Sequence, residues 1–506
     1  MRVCLINPLS QANLWEGEIA SHEPPLGLCY LASVLEKNGH KVKIIERRRF
    51  IGNRRRNEAN LNALDREIYK QIKSFNPAFV GITATTPLIM DAYRLTRVVK
   101  QADDNIKIMA GGCHPTARPK RVLEDSSEID AVCIGEGEFV FLEFVQGRPL
   151  DQIKGIAYRN GADIAFTQQR DFYQDIDDLP FPSRHLLDRK HYFSAQSTTI
   201  RGNHLAATTV LTARGCPYKC VFCQAGFLAK SGKGRFVRFR SPASVIEEIK
   251  RLIKDFAIGG IFFAEDMFSL ELKNVFNLCE LFIKAGLNKK IEWAANLRVD
   301  AAKPGLLKLM KQAGCIQVIY GCESGSQDIL DRLEKRASVE QNYKAVEITK
   351  KAGLFCEVNV MMGLPQETEG DFLKTIEFLK RAKPDRIVKS KLYPLPGTPL
   401  YEDLKSKNII KEPDNWNDLW DIYVNADFTF ADMRYEKFIK LCLRLDREVI
   451  YRRNYINEIK NIMKKSFILG VVKIFTMVFH LFILYLPVSA QKILQRFIDS
   501  LKARFL

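Results

Sequence analysis

Arg214-Gly215-Cys216-Pro217-Tyr218-Lys219-Cys220-Val221-Phe222-Cys223-Gln224 is the stretch that decides how this 506-residue chain folds and what chemistry it carries. Three of the twelve cysteines stand in it at Cys-x3-Cys-x2-Cys spacing, while the other nine, at positions 4, 29, 113, 133, 279, 315, 322, 356 and 442, are scattered singly through apolar runs as core residues. A thiolate is a soft ligand for iron or zinc. A closed structural zinc site takes four ligands, often from two Cys-x2-Cys pairs, and here no fourth Cys or His lies nearby, so zinc would need a distant residue to join. Three cysteines on a cubane cluster leave one iron open for a small chelating ligand, which is an arrangement for chemistry rather than for structure.

Working outward, the triplet follows an apolar run near 207–212, the first of six strand-like runs near 207–212, 260–264, 291–295, 316–321, 355–361 and 386–392, each followed by a helix-like stretch. Six such units predict a partial (β/α)6 barrel, whose reactive groups belong on the loops after the strands. Upstream, apolar runs at Val3–Ile6, Val42–Ile45, Phe79–Ala84, Ile106–Ala110 and Ala131–Ile134 alternate with helical periods. That alternation predicts an α/β, Rossmann-like domain with a parallel sheet covered on both faces. Its first helix is expected to begin near Pro25 and to stop at Gly39, following the preferences of proline for first turns and of glycine for left-handed caps. Ligands of open sheets bind beyond the carboxyl ends of the strands. Those ends read Asn7-Pro8, Thr83, Gly111-Gly112-Cys113-His114-Pro115-Thr116 and Gly135-Glu136-Gly137-Glu138. The expected organisation is a first domain over 1–150, an irregular linker over 151–205 marked by Asp177-Asp178-Leu179-Pro180-Phe181-Pro182, a core domain over 206–430 and a helical tail over 431–506.

Hydrophobic residues at 46% and charged residues at 27% exclude global disorder, a collagen-like repeat and a polytopic membrane protein. The net charge of +18 points to an anionic partner such as a phosphate-bearing cofactor, nucleic acid or a lipid surface. From residue 431 onward fifteen Lys and Arg stand against six Asp and Glu, so the tail carries half of that excess. Residues 467–488 are long enough to span a bilayer, but Ser466, Gly470, Lys473, Thr476 and His480 share one helical face, which suits an interfacial helix better than a crossing one. Lys464, Lys465, Lys492, Arg496, Lys502 and Arg504 would meet anionic head groups. No secretory signal is apparent, so a reduced, cytoplasmic protein is expected, peripheral on the inner face of the cytoplasmic membrane through its tail.

The cysteine run resembles the signature of the radical S-adenosylmethionine (radical SAM) enzymes, Cys-x3-Cys-x-aromatic-Cys. The resemblance implies that Cys216, Cys220 and Cys223 hold a 4Fe-4S cluster, that S-adenosylmethionine chelates the open iron, and that its reductive cleavage gives a 5'-deoxyadenosyl radical. By position it puts Phe222 beside the adenine and Glu265 and Asp266, in Ala264-Glu265-Asp266, near the methionine amine. Arg298, and Glu323 in Gly321-Cys322-Glu323-Ser324-Gly325, would meet carboxylate and ribose, with Gly363 of Gly363-Leu364-Pro365-Gln366-Glu367 again near the adenine. Leu395-Pro396-Gly397-Thr398-Pro399 closes the series. Such an enzyme implies a reductase, flavodoxin or ferredoxin as electron donor.

Pro24-Pro25-Leu26-Gly27-Leu28, the Gly111 to Thr116 loop and Gly135-Glu136-Gly137-Glu138, in this order before the triplet, look like the cobalamin-binding branch of that family. The likeness covers roughly residues 1–400 and implies that Pro25, Thr83, Gly111, Gly112, His114, Gly135 and Glu136 lie in cofactor-binding loops. The Asp-x-His-x-x-Gly motif that supplies a histidine to cobalt in other cobalamin domains is missing, and His114 is expected to order its loop rather than to ligate. The branch implies methyl transfer to an unactivated carbon of an apolar small molecule, lipid or porphyrin-like, or alternatively oxidative cyclisation of the anaerobic magnesium-protoporphyrin monomethyl ester cyclase type. A transfer RNA methylthiotransferase would carry a second cysteine triplet, which Cys4, Cys29, Cys113 and Cys133 do not form. Nucleic acid is therefore not expected as a partner, despite six arginines among residues 47–56. A pure cobalamin sensor would have no use for the triplet.

Overall fold

Short aliphatic runs rich in Val and Ile, each bounded by Gly, Asn or Pro, become the strands of two sheets in the computed structural model, which describes residues 1–9, 23–47, 58–193, 198–200, 203–420, 422–423 and 427–451. The first sheet contains β1 (Arg2–Asn7), β2 (Lys41–Glu46), β3 (Phe79–Thr83), β4 (Lys107–Gly111), β5 (Ala131–Cys133), β6 (Ile156–Asn160) and β7 (Asp163–Phe166), in the order β2-β1-β3-β4-β5-β6-β7. β1 to β5 pair in parallel, with Thr83 opposite Gly111 at the carboxyl edge. The order reverses between β1 and β3, so the crevice expected of such a sheet opens there, beside Asn7 and Thr83. Helices Leu26–Lys37, Glu58–Phe75 and Ile89–Ala102 make the crossovers. The first has Pro25 as its N-cap and is followed by Gly39 at φ 77°, as the sequence predicted.

The linker expected over 151–205 needs correction. Residues 156–166 form a hairpin, β6 and β7, that extends the first sheet by antiparallel pairing with β5. Its turn is Asn160-Gly161, with Gly161 at φ 63°, the dipeptide that a tight hairpin favours. The irregular stretch begins after Phe166. A small pair, β8 (Thr198–Ile200) and β9 (Asn203–Leu205), precedes the second sheet.

β10 (Ala207–Val210) opens that sheet, and a two-residue ladder, β11 (Ala213–Arg214) with β12 (Arg238–Phe239), brackets the cysteine run. Then follow β13 (Gly260–Phe263), β14 (Glu292–Leu297), β15 (Cys315–Glu323), β16 (Phe355–Met362) and β17 (Arg386–Lys391), all parallel, in a six-stranded order β10-β13-β14-β15-β16-β17. This is the predicted partial barrel. Trp293 on β14 is 1% exposed, with Phe263, Phe268 and Phe282 around it at ring distances of 5.3, 5.5 and 6.1 Å. Each such side chain stabilises by about 1.5–3 kcal/mol on burial. The indole N–H of Trp293 donates to the Ala313 carbonyl at 2.8 Å, so the ring is buried without an orphaned polar atom.

The chain divides into two compact units. The first combines Met1–Thr198, Thr208–Ile258 and Tyr393–Ile422, so the cysteine run belongs to the same unit as the first sheet; the second holds Thr199–Ala207, Gly259–Leu392 and the described residues from Tyr423. The boundary passes through β10. Among the described residues no helix is long and apolar enough to cross a membrane. The interfacial segment 467–488 and arginines 48, 49, 54, 55 and 56 lie outside the described residues. Arg47 is described. It is fully buried and pairs with Asp65 at 2.6 Å and Asp91 at 3.4 Å, an internal cation rather than a grip for phosphate.

Candidate functional site

The cysteine run is shaped by the residues that flank it. Gly215 sits at φ 84°, and a β-carbon there would lie 2.5 Å from the Phe236 carbonyl oxygen, so the chain can turn out of β11 only with glycine. Cys216 and Cys220 are buried and Cys223 is half-buried. The Cys223 amide donates to the Cys220 carbonyl at 3.0 Å, a tight turn that carries half-buried Phe222 between them. The Ala225 amide points at the Cys223 sulfur at 3.5 Å. On its far side the run is stitched to the Pro-Gly-Thr-Pro segment, by Gln224 Nε2 to the Pro396 carbonyl at 3.1 Å and by the Leu400 amide to the Val221 carbonyl at 3.0 Å.

None of the three is in a disulfide. Burial pushes the thiols of Cys4, Cys29, Cys133 and Cys279 up to about 12, as expected of inert core cysteines. Among the described residues no three His, Cys, Asp or Glu side chains converge closely enough to share one metal ion. A cubane asks for something else, one thiolate on each of three irons, and three cysteines on one glycine-hinged loop are a donor set of that kind.

In the first sheet the carboxyl-end loops are sewn to one another. Ala84 donates to the Gly111 carbonyl at 2.8 Å, and the His114 amide returns to the Ala84 carbonyl at 3.2 Å. Gly112, at φ 104°, would place a β-carbon 2.7 Å from the Ala84 oxygen, whereas at Gly111 it would meet the Cys133 β-carbon at an ordinary 3.6 Å. The Gly135 amide donates to Thr116 Oγ1 at 3.1 Å, and a β-carbon on Gly135 would strike Ser231 Oγ at 2.9 Å. Pro25, Thr83, Gly111 and Gly112 are half-buried at this edge. His114 is 0% exposed: Nδ1 is 3.1 Å from Thr86 Oγ1 and the ring stands edge-on to Trp416 at 4.4 Å. Burial, aided by Arg118, pushes its pKa down to about 3, so the ring is neutral. The loop expected around it is in part a short helix, Cys113–Ala117, which the ring orders from the interior.

Glu136 was expected at the cofactor, but its carboxylate is held by arginines. Arg238 donates to both its oxygens at 2.8 and 2.7 Å, and Arg214 reaches it at 3.4 Å while bonding Glu138 at 2.7 Å. Burial works against ionisation, yet Arg238 and Arg214 outweigh it and hold the Glu136 carboxyl below the usual range. Arg214, Arg238 and Glu138 were not singled out from sequence, although Arg214 and Glu138 lie inside the quoted motifs. A cavity of about 420 Å³ borders this cluster, lined in part by Glu138, Phe139, Arg170 and Tyr173.

The second unit places charge at its strand ends. Glu265, just after β13, is 4% exposed, and Asp266 beside it is exposed. Arg298, just after β14, is 4% exposed. Its guanidinium meets Asp300 at 3.1 Å and the carbonyls of Lys335 and Arg336 at 3.0 and 2.7 Å, so it holds the segment after helix Gln327–Arg332 in place. Glu323 ends β15 at φ 59°, where the register with β16 shifts, and its carboxylate pairs with Lys335 at 2.8 Å. A buried, non-glycine residue in the left-handed region is the kind of strain that functional sites retain. Gly363, at φ 73° after β16, donates its amide to Glu367 Oε2 at 2.8 Å, and Leu364 does so at 3.2 Å. Glu367 ends the Gly363-Leu364-Pro365-Gln366-Glu367 motif, and its sequence position alone carries no sign of this role. Burial raises its pKa to about 7 despite the two amides.

The Radical SAM superfamily model matches residues 210–379, and the B12 binding domain model matches residues 17–145. An uncharacterized methyltransferase of Pyrococcus horikoshii is 33% identical over 81% of this chain and 84% of its own. An anaerobic magnesium-protoporphyrin IX monomethyl ester cyclase of Cereibacter sphaeroides is 29% identical over 80% of this chain and 64% of its own. Among solved structures, the radical S-adenosylmethionine methyltransferase TsrM of Kitasatospora setae has the same fold, with a TM-score of 0.64 and 18% identity over 80% of this chain and 76% of that one.

Proposed function

The chain belongs to the cobalamin-binding radical SAM enzymes, and on that premise we propose that it methylates an unactivated carbon of an apolar small molecule, with Cys216, Cys220 and Cys223 holding the 4Fe-4S cluster. The observation that carries this reading is the cysteine run, lodged in the same compact unit as the B12-type sheet. When bound, the cluster and cobalamin would supply, respectively, the electron that cleaves S-adenosylmethionine to a 5'-deoxyadenosyl radical and the methyl group for transfer. The chain's own residues position and shield. Gly215 gives the cysteines their turn, and half-buried Phe222 offers an aromatic face for the adenine. Glu265 brings a buried carboxylate to the end of β13 for the methionine amine. Glu323 presents backbone and carboxylate at the end of β15, with Lys335 fixing its direction. The amides after β16, gathered by Glu367, shape the loop that would border the adenine. Thr83, Gly111 and Pro25, half-buried around the crevice of the first sheet, would face the corrin.

An apolar substrate is supported by the porphyrin named for the cyclase relative and by the basic, apolar tail that the sequence places after residue 431, which would sit at a lipid surface. That relative also makes oxidative cyclisation the second reading. The protein, reconstituted anaerobically with iron, sulfide and hydroxocobalamin, is expected to convert S-adenosylmethionine into both 5'-deoxyadenosine and S-adenosylhomocysteine in the presence of lipid or porphyrin extracts. Mass spectrometry of the extract should find a product heavier by one methylene. Deoxyadenosine without any S-adenosylhomocysteine would overturn methyl transfer in favour of cyclisation.

A further inference from the structure

The ladder β11·β12 closes the loop that carries the cysteines, and it places Arg214 directly opposite Arg238. Two adjacent guanidiniums would repel, and both are largely removed from water, with side-chain exposures of 16% and 1%. What neutralises them is the Gly135-Glu136-Gly137-Glu138 loop at the end of β5. Glu136 takes a two-pronged grip from Arg238 and a longer contact from Arg214, and Glu138 takes Arg214 at 2.7 Å. Planar faces complete the seat: Arg214 lies 4.9 Å from the Tyr30 ring and Arg238 lies 5.0 Å from Phe172. Two residues on, Arg240 pairs with Glu248, which also takes Arg184 at 2.6 Å. The base of the cysteine loop is thus gripped at two points within one compact unit.

Bidentate arginine–carboxylate pairs fix direction as well as distance, and a buried pair is stabilising only when its partners stay matched. Here the matched partners lie on the first sheet and at the foot of the cysteine run, two residues before Cys216. We propose that Arg214, Arg238, Glu136 and Glu138 form a positioning clamp that sets the cysteine loop at a fixed place relative to the carboxyl edge of the first sheet, so that the cluster and the corrin stay in register during methyl transfer. The proposal rests on the cofactor reading above. The clamp residues are positioning residues and act through the loop they hold.

The test uses the full chain carrying Arg214→Met with Glu138→Gln, which removes both members of one pair and leaves no orphaned charge. Wild type and variant are reconstituted with iron, sulfide and hydroxocobalamin, and iron and cobalamin contents are measured. After reduction with dithionite, the electron-spin relaxation of cob(II)alamin reports how near the reduced cluster lies, without any turnover. The variant is expected to load both cofactors, to show relaxation several-fold slower than wild type, and to lose on the order of 10²-fold in methylated product per deoxyadenosine, as a misplacement of about 1 Å would cause. Wild-type relaxation in a fully loaded variant overturns the proposal. If the double variant loads no cluster, Glu138→Gln alone is measured; loss of the cluster there too marks a folding element and equally overturns it. Failure of wild type to bind cobalamin or iron would instead overturn the cofactor reading, so the two failures are distinguishable.

Discussion

The two sheets finish their parallel strands in opposite styles. At the carboxyl edge of the first, the chain uses backbone: the Ala84 amide bonds the Gly111 carbonyl, the His114 amide bonds the Ala84 carbonyl and the Thr116 amide bonds the Gly112 carbonyl, and the ring of His114 is kept neutral inside. At the carboxyl edge of the second, it uses buried charge and strained backbone: Glu265, Arg298, Glu323 and Glu367 are each under a tenth exposed, with Glu323 and Gln366 both at φ 59°. Close-packed amides and glycines suit a large, amide-decorated ligand that needs room near the backbone. Oriented charges suit a small zwitterion with a ribose, because charge-assisted bonds inside a protein are strong and directional. Under the proposed function, the first edge would take the corrin and the second S-adenosylmethionine.

The most drastic way to break this contrast is to remove the cysteines. Cys216→Ala, Cys220→Ala and Cys223→Ala together are expected to abolish iron binding and all cleavage of S-adenosylmethionine, while cobalamin uptake by the first sheet persists. Iron analysis and visible spectra of the purified variant check both halves. Retained turnover would defeat the assignment of an essential cluster to these cysteines, and loss of cobalamin along with iron would mean that the edges do not serve separate ligands.

A second measurement sharpens the claim that the first edge is made of backbone. Gly112→Ala adds a β-carbon 2.7 Å from the Ala84 oxygen at φ 104°, and an overlap in a near-glycine-only conformation should cost about 4 kcal/mol of unfolding free energy. Gly111→Ala, one residue earlier, adds an atom at an ordinary 3.6 Å from the Cys133 β-carbon and should change stability by less than about 1 kcal/mol. Urea titrations of the two variants compare them directly. Equal effects would mean that the loop is not sewn as described.

The same contrast explains what the sequence disclosed. All eleven predicted strands were legible because each is a short apolar run in an alternating series, and the six-unit barrel followed from their count. The hairpin β6–β7 was missed because Ile156–Asn160 and Asp163–Phe166 are only partly apolar and half-exposed, so the Asn160-Gly161 turn was the sole local signal. The cysteine run was legible because metal chemistry constrains spacing along the chain. The protein partners of Glu136 and Arg298 were not legible, because a motif preserves residue type and not partner: the arginines facing Glu136 are 78 and 102 positions away, and Arg298 reaches loop carbonyls 37 and 38 positions on. Long-range pairing of charges leaves no periodicity to read.

The finest probe of the second edge is its pH dependence through Glu367. This carboxyl is 1% exposed, and burial lifts its folded pKa from the ordinary 4.5 to about 7. Below pH 4.5 both folded and unfolded forms carry the proton, so the side chain then contributes its full stability. As pH rises the unfolded chain ionises first, the folded one must follow near 7, and stability is lost across that window. Glu367→Gln keeps the shape and the acceptor for the Gly363 and Leu364 amides but cannot ionise. Wild type should therefore match the variant below pH 4.5 and fall behind it by about 3 kcal/mol at pH 8, because each tenfold difference in proton affinity between the folded and unfolded chain is worth about 1.4 kcal/mol. Unfolding midpoints at the two pH values measure the difference. If wild type were instead the more stable form at pH 8, the two amides would have overcome burial, Glu367 would be a resident anion, and the loop after β16 would carry a fixed negative charge toward its ligand.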